Sequence, residues 1–151
     1  MDDGLERPRL AVDSDAEAIA TLWLRSRRAS IPSIPAPVHS DEEVHRWVAE
    51  LLIPNGGTWV LEGATGFVGM MTVRERWIEQ LYVDPAHFGR GTGTQLLGKA
   101  KKGFPGGLDL WTFESNIRAQ RFYEVHGFVL VDQTSGNNEE GAPDLRYHWD
   151  G

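Results

Sequence analysis

Hydrophobic residues recur three and four positions apart in four stretches of the chain, which predicts four amphipathic helices. The stripes are Ala16, Ile19, Ala20 and Trp23; Val44, Trp47, Val48, Leu51 and Leu52; Leu96, Leu97 and Ala100; and Ile117, Ala119, Phe122 and Tyr123. Residues that favour helix N-termini precede three of these stripes. They are Asp13 to Asp15, the capping box from Ser40 to Glu43, and Asn116. Each predicted helix therefore has one apolar face to bury.

Seven short runs rich in aliphatic, β-branched and aromatic residues predict β-strands. The runs are residues 9–12, 58–62, 67–74, 79–83, 108–113, 128–132 and 143–149. Together with the helices, they give the order strand, two helices, three strands, helix, strand, helix and two strands. This order predicts an α/β fold with a mixed, partly parallel central sheet and helices on both faces. The last strand is expected at a sheet edge or in a dimer contact, so a homodimer is one expectation.

The composition predicts one globular domain over residues 9–151, after a polar N-terminus, residues 1–8, that is expected to be frayed. The chain of 151 residues is 40% hydrophobic, which suits a packed core, and its lack of cysteine excludes disulfides and thiolate zinc sites. Fifteen Lys and Arg against 22 Asp and Glu give a formal charge of −7, which disfavours nucleic acid and suits cationic amines. No apolar run has the length of a signal peptide or a membrane span, so we expect a cytoplasmic protein without membrane contact.

A glycine-rich turn links the predicted strand 79–83 to the third predicted helix. Gly89, Gly91 and Gly93 recur at every second position after Asp84-Pro85. A bare backbone that opens into a helix presents several N–H donors at the positive end of the helix dipole, and its natural ligand is a phosphate or diphosphate. The spacing is neither that of the dinucleotide-binding motif nor that of the nucleoside-triphosphate loop. The alternative is a tight strand-to-helix turn that binds nothing.

This run resembles the pyrophosphate-binding motif of the GCN5-related N-acetyltransferase (GNAT) superfamily, whose pattern is Gln/Arg-x-x-Gly-x-Gly/Ala. Gly91 falls on the first glycine of the pattern and Gly93 on its last residue. Phe88 stands at the Gln/Arg position, which departs from the pattern. The departure removes one side-chain contact to the pyrophosphate and leaves the backbone donors in place.

A second stretch, residues 110–128, resembles the other diagnostic motif of the same superfamily. It contains Asn116, Ala119, the run Phe122-Tyr123-Glu124 and then Gly127-Phe128. On both motifs and the order of elements, the chain is identified as a bacterial GNAT member of unassigned substrate, with the acyl-CoA N-acyltransferase fold. The resemblance implies acetyl-CoA as the co-substrate, no metal, and a small-molecule or peptide amine as the acceptor.

The resemblance also implies where acetyl-CoA binds. Strands 79–83 and 108–113 are expected to be parallel neighbours that splay apart, and the unpaired backbone of Leu81 and Val83 would bond the pantetheine arm. An N–H near Leu81 or Tyr82 would polarise the thioester carbonyl. The implied cofactor-binding residues are Leu81, Tyr82, Val83, Phe88, Gly89, Arg90, Gly91, Thr92, Gly93, Thr94, Asn116 and Phe122.

Two residues are the catalytic candidates, and each has a structural alternative. Glu79 precedes the expected thioester position and is the candidate base for the acceptor amine; the alternative is a strand carboxylate paired with Arg74 or Arg76. Tyr123 matches the tyrosine that serves as general acid in many family members; the alternative is a core aromatic.

Three functions remain open at this point. The first is N-acetyl transfer to an amine, the second is a non-catalytic acyl-CoA-binding module on the same fold, and the third is a domain whose glycine turn holds nothing. The proline-rich loop 31–37 is either a wall of the acceptor site or a packed connector. No motif identifies the acceptor.

Overall fold

The structure, a computed structural model, describes residues 7–151; of the N-terminal segment 1–8 predicted to be frayed, residues 1–6 lie outside the described part. The strands are β1 (Arg9–Leu10), β2 (Thr58–Gly63), β3 (Gly66–Arg74), β4 (Trp77–Val83), β5 (Leu108–Phe113), β6 (Val129–Thr134) and β7 (Asp144–Trp149). The α-helices are α1 (Ala16–Ala29), α2 (Asp41–Trp47), α3 (Thr92–Gly103) and α4 (Ile117–Val125). None of these helices, nor any other helix within residues 7–151, has the length and hydropathy needed to cross a membrane.

The predicted order of strands and helices agrees with the structure, and several boundaries differ; β1, for example, ends at Leu10 and not at residue 12. The strand predicted over residues 79–83 begins earlier, at Trp77, because Glu75 and Arg76 take positive φ values of 49° and 71° and reverse the chain in a tight turn. The second helix continues beyond Trp47 as a π-helical segment, Val48–Leu52. A π-helix has more residues per turn than an α-helix, and of the predicted apolar stripe Val48 and Leu52 are buried in this segment whereas Leu51 is exposed.

The strands form one seven-stranded sheet in the order β1-β2-β3-β4-β5-β7-β6. The expectation that the last strand lies at an edge is wrong, because β7 pairs antiparallel with both β5 and β6. The edge strand on this side of the sheet is β6, whose Val129, Leu130 and Val131 are exposed. The two strands that follow α4 form a hairpin, and the later strand of the hairpin inserts next to β5.

Helices cover both faces of the sheet, as predicted, and each face has its own hydrophobic core. Val60 and Met70 pack with α1 and α2, whereas their chain neighbours Leu61 and Met71 pack with α3 and α4. Adjacent residues in a strand point to opposite faces, so each of these pairs supplies both cores. The α/β fold with a mixed sheet, in which only β4 and β5 run parallel, is therefore confirmed.

Strands β4 and β5 pair only at their first residues and then separate. Their parallel pairing is limited to Trp77 with Asp109 and Ile78 with Leu110. On the other side of β4, Ile78 and Gln80 have successive partners on β3, which leaves Glu79 as an extra, bulged residue. A bulge bends its strand and disrupts pairing locally. The strands therefore part at Glu79, and a gap opens between the C-terminal halves of β4 and β5.

The closed end of this gap is held by Asp109, which is fully buried. Its carboxylate accepts hydrogen bonds from Arg76 at 3.2 Å, Arg146 at 3.0 Å and His148 at 2.9 Å. Burial favours the neutral form of the Asp109 carboxyl, but the hydrogen bonds from His148 and Arg146 outweigh it and hold its pKa below the ordinary value. The cluster joins the turn before β4 to β5 and β7.

We expect Asp109→Asn to lower the free energy of unfolding by about 2 kcal/mol, because it leaves two arginines and a histidine around a neutral amide. Urea denaturation measures this loss, with Asp132→Asn, an exposed carboxylate on β6, as the control. A carboxyl with a lowered native pKa stabilises the fold above its unfolded pKa of about 3.9, and this stabilisation fades as the pH falls. The difference between wild type and variant should therefore shrink in acid; a constant difference would argue against an ionic role.

Candidate active site

Three neighbouring cavities border β4, and one of them lies in the gap between β4 and β5. The glycine-loop cavity, of about 400 Å³, lies between the ends of β4 and α4 and the turn before α3. The strand-gap cavity, of about 270 Å³, lies between β4 and β5. The tryptophan cavity, of about 480 Å³, is lined by Trp23 and Trp47. Tyr82 and Tyr123 line both of the first two cavities, and Arg27 and Gln80 line both of the last two, so each cavity adjoins the next.

The glycine-loop cavity brings together all but one of the residues predicted to bind the cofactor. Its lining includes Leu81, Tyr82, Val83, Phe88, Gly89, Gly91, Thr92, Gly93, Thr94, Asn116 and Phe122. Arg90 is exposed and is not part of this lining. These residues come from β4, the turn that follows it, α3 and α4.

The turn before α3 is an open cradle of backbone donors. Gly91 is the N-cap residue, with φ of 81°, and it has no side chain to accept from the first N–H groups of the helix. An ideal Cβ on Gly91 would meet no atom within 4 Å, so this position faces open space. The Thr92 hydroxyl is buried without a hydrogen-bond partner among the described residues. Uncapped N–H groups and an unpaired hydroxyl at a helix N-terminus fit a diphosphate.

Two glycines bring α3 close to its neighbours. A Cβ on Gly69 of β3 would lie 2.8 Å from Thr92 and 2.9 Å from Leu96, so only glycine lets α3 pack this closely on the sheet. A Cβ on Gly93 would lie 3.2 Å from the Phe122 ring. The cradle is therefore held against β3 on one side and α4 on the other.

Phe88, which departs from the motif, has a cationic neighbour that the sequence analysis missed. Phe88 is 37% exposed, and the Arg118 guanidinium carbon lies 3.7 Å from the centroid of its ring. Both residues line the glycine-loop cavity. A cation is thus present beside the cradle although the motif position itself holds a phenylalanine. No local pattern points to Arg118, because it reaches Phe88 only when α4 packs beside the glycine turn.

The backbone of β4 turns two of its residues toward the gap. The Asp84 N–H donates to the Val68 carbonyl of β3 at 2.8 Å. Hydrogen-bonding groups alternate in direction along a strand, so Tyr82 also directs its N–H toward β3, whereas Leu81 and Val83 direct theirs toward the gap. The N–H groups of Leu81 and Tyr82 were both considered as donors to the thioester carbonyl. Of these two, only the N–H of Leu81 faces the gap. The Val83 carbonyl accepts from the Ser26 hydroxyl at 3.1 Å.

The last helix carries Tyr123 into the same gap. The side chain of Asn116 caps α4 by accepting from the Ala119 N–H at 3.2 Å, as predicted. Tyr123 follows two turns later, is 8% exposed and lines both the glycine-loop and the strand-gap cavities. Burial, and the nearby Tyr82 to a smaller degree, raise the pKa of the Tyr123 phenol well above its ordinary value. The phenol therefore stays protonated throughout the neutral range.

Glu79 lies at the opposite side of the strand-gap cavity from the cradle. Its carboxylate accepts from Arg74 Nη2 at 2.9 Å, and its side chain is 41% exposed. The ion pair considered in the sequence analysis is thus present, with Arg74 as the partner. Glu79 and Tyr123 both line the strand-gap cavity. No group of three or more histidines and carboxylates within residues 7–151 is placed to hold a metal ion.

The proline-rich loop 31–37 packs into the protein and also lines the three cavities. Ile34 is buried and lines the glycine-loop and strand-gap cavities, and Pro37 lines the tryptophan cavity. The aromatic wall opposite is rigid, because Trp23 and Trp47 pack edge to face with ring centroids 5.7 Å apart. The Trp23 indole N–H also donates to Gln80 Oε1 at 3.0 Å.

Arg27 occupies the centre of the site, and the sequence analysis did not single it out. Its position in the last turn of α1 indicates a solvent-exposed cation that interacts favourably with the helix dipole. In the structure, however, Arg27 is only 6% exposed. Its guanidinium carbon lies 4.9 Å from the Trp23 ring centroid. A signal for its burial does exist in the sequence. Arg27 follows Ile19 and Trp23 at intervals of four residues and so continues the apolar stripe of α1.

Residues 54–130, slightly more than half of the chain, match the family model of the acetyltransferase (GNAT) domain. The chain belongs to the GNAT family of acetyltransferases. The match spans β2 to the start of β6 and includes both motifs on which the resemblance was based. Membership in the GNAT family, predicted from those motifs, is therefore confirmed.

Solved structures of GNAT proteins share this fold over nearly the whole chain. The apo-form of YjaB from Escherichia coli is 23% identical, with a TM-score of 0.77 over 97% of this chain and 98% of that chain. PaiA N-acetyltransferase from Thermoplasma acidophilum, solved in complex with coenzyme A, is 16% identical, with a TM-score of 0.72 over 97% of this chain and 99% of that chain. A chimera of the spermidine N-acetyltransferase SpeG from Vibrio cholerae and hSSAT is 21% identical, with a TM-score of 0.70 over 97% of this chain and 95% of that chain. No curated protein matches the chain in sequence.

Proposed function

We propose that this protein is an N-acetyltransferase that moves the acetyl group of acetyl-CoA to a primary amine of a small molecule or peptide, by direct attack in a ternary complex. The observation that carries the proposal is the series of adjoining cavities beside the parted strands, with an anion cradle in the first and an aromatic wall in the last. The coenzyme A bound by the PaiA enzyme, which shares the fold, is consistent with this donor.

The residues that would hold acetyl-CoA follow from the geometry of the glycine-loop cavity. The first N–H groups of α3 and the Thr92 hydroxyl would bind the diphosphate, and Arg118 would add a positive charge that Phe88 does not supply. Leu81 and Val83 would offer backbone groups to the amide-rich pantetheine arm. Acetyl-CoA itself supplies the activated thioester, whose carbonyl the Leu81 N–H would polarise.

Acetyl transfer requires two proton movements, and the two catalytic candidates would perform them. The attacking amine must be neutral, and for a lysine-like amine with a pKa of about 10.4 this costs about 4–5 kcal/mol at neutral pH. Glu79, directly or through water, would take the proton as the N–C bond forms. The C–S bond breaks in the same transfer, and Tyr123 would donate its phenolic proton to the departing thiolate. Bulk water then restores both protonation states.

We expect Glu79→Gln to slow acetyl transfer most at low pH and least near the pKa of the amine, where the acceptor is already neutral without a base. The matched control is Arg74→Gln, which removes the same ion pair and keeps the carboxylate. The measurement is the pH profile of kcat/KM for both variants. An equal slowing by the two variants, at every pH, would assign the Arg74 pair a structural role and remove Glu79 as the base.

The alternative to an enzyme is a non-catalytic acyl-CoA-binding module, and the observation that favours it is Phe88 at a motif position that usually holds a polar side chain. Calorimetric titration with CoA, together with thiol release from acetyl-CoA over a panel of amines, separates the two. Binding with turnover supports the acetyltransferase, and binding without turnover on any amine supports the module. Absence of CoA binding contradicts both and leaves a domain with an empty glycine turn.

A further inference from the structure

The guanidinium of Arg27 is buried but poorly satisfied. It offers five N–H donors, yet its three contacts are to the Pro35 carbonyl at 3.3 Å, Glu140 at 3.4 Å and the Tyr82 hydroxyl at 3.5 Å. All three exceed the usual range for such bonds, about 2.7–3.2 Å. Its Nε is buried with no partner among the described residues. A buried cation with unused donors is costly unless a ligand completes its hydrogen bonds.

We propose that Arg27 binds a carboxylate of the acceptor, so that the acceptor is an α-amino acid or a close relative, with its carboxylate only a few bonds from the amine. This inference rests on the proposed acetyltransferase function and names the substrate class of the same site. A planar carboxylate matches the fork of the guanidinium and can accept two hydrogen bonds from it, one of them from the unpaired Nε.

Arg27 lines the same cavity as the two catalytic candidates. It borders both the strand-gap cavity, which Glu79 and Tyr123 also line, and the tryptophan cavity. An acceptor whose carboxylate binds Arg27 and whose amine enters the strand gap would therefore hold both groups within one cavity of about 270 Å³, as an α-amino acid can. The remaining side group would then enter the tryptophan cavity, where Trp23, Trp47 and Leu51 favour an apolar or aromatic side chain.

Four carboxylates line the tryptophan cavity, and three of them, Glu43, Glu139 and Glu140, already contact a histidine or an arginine, which leaves Glu50 as the one without such a partner among the described residues. Glu139 is hydrogen-bonded to His39 at 2.7 Å, and Glu140 is engaged by Arg27 itself. Glu140 lies on the loop between β6 and β7, and its contact with Arg27 is long. We interpret Glu140 as an internal substitute for the carboxylate of the acceptor. Displacing it would cost one weak contact and would satisfy Arg27 more fully.

The first arm of the test compares acceptors that differ only in the carboxylate. The probes are phenylalanine, tyrosine, tryptophan and leucine, each beside its decarboxylated amine, with acetyl-CoA as the donor. We expect the amino acid to be preferred in kcat/KM by about 10- to 100-fold for at least one pair, as for the loss of one charge-assisted hydrogen bond. Equal or better use of the decarboxylated amine in every pair would overturn the inference.

The second arm uses two variants that should act in opposite directions. Arg27→Met should remove the preference for the carboxylate and leave CoA affinity unchanged. Glu140→Gln should keep or tighten carboxylate binding, because it removes the internal competitor for Arg27. If the site instead binds a cation through Glu140, Glu140→Gln will weaken the acceptor, and this result would contradict the inference. Should Arg27→Met fail to fold, Arg27→Lys keeps the charge without the planar fork and should still lose most of the preference.

The third arm separates this inference from the proposed function. 3-Phenylpropionate, which has a carboxylate but no amine, is titrated by calorimetry into the CoA-loaded protein and into its Arg27→Met variant. Binding that depends on Arg27, without turnover on any amine, supports the carboxylate site and refutes the acetyltransferase. Turnover on amines without dependence on Arg27 supports the acetyltransferase and refutes the carboxylate site.

Discussion

Gly91→Glu is expected to weaken CoA binding by more than 100-fold. Two effects combine at this position, charge repulsion and backbone strain, and the charge repulsion is the larger. The new side chain would enter the open space of the glycine-loop cavity, because an ideal Cβ on Gly91 meets no atom within 4 Å. Its carboxylate would face the diphosphate that the N–H groups of α3 are proposed to bind. Like charges about 4 Å apart repel by about 4 kcal/mol at the effective dielectric of a protein surface. Isothermal titration with CoA measures the loss.

Backbone strain needs its own control, since Gly91 has a φ of 81° that side chains rarely adopt. Gly56 offers a matched position: its φ is also 81°, and its Cβ would also meet nothing within 4 Å, but it lies in the turn after the second helix. Gly56→Glu therefore adds the same charge and the same strain away from the cavity and should keep CoA affinity. Gly91→Ala adds the strain alone and should lose far less affinity than Gly91→Glu. Retention of CoA binding in Gly91→Glu would refute the phosphate assignment.

The parts of the site that the sequence predicts are those encoded by neighbours in the chain. Three closely spaced glycines that open into an apolar helical stripe predict the cradle, and Asn116 ahead of another stripe predicts the cap that the structure has. Such signals are local, because a cap or a glycine turn depends on the conformation of a few successive residues. The element order follows from the same kind of signal, whereas the GNAT fold is predicted from the resemblance of two motifs to that superfamily.

The parts that the sequence does not predict depend on contacts between distant elements. Arg118 of α4 stacks on Phe88 of the turn before α3, and Glu140 meets Arg27 across 113 positions of the chain. The place of β7 between β5 and β6 is likewise a matter of strand pairing, which hydrophobic alternation within one strand cannot specify. The bulge at Glu79 is a further example. It arises because β4 has one residue more than β3 over the same paired length. In the sequence both strands are uninterrupted runs, so the extra residue cannot be recognised there.

The buried position of Tyr123 predicts how the proposed general acid should behave in kinetics. Tyr123→Phe is expected to lower kcat by about 100-fold, because the departing thiolate loses its proton donor. This value lies at the lower end of the range that a general acid contributes. CoA affinity should barely change, since the phenol is not among the groups proposed to bind the phosphates or the pantetheine arm. Stopped-flow or steady-state thiol release gives kcat, and calorimetry gives the affinity.

Tyr147→Phe is the matched control for Tyr123→Phe, because it also removes a buried hydroxyl from the same core cluster. The Tyr147 hydroxyl donates to Glu124 at 2.9 Å, so its loss should cost about 1 kcal/mol of stability and leave kcat unchanged. The pH profile provides a second check. Because burial raises the pKa of Tyr123, wild-type kcat should not fall with an apparent pKa near the ordinary phenol value of about 10. An unchanged kcat in Tyr123→Phe would make this residue a core aromatic, and the thiolate would then leave without a protein acid.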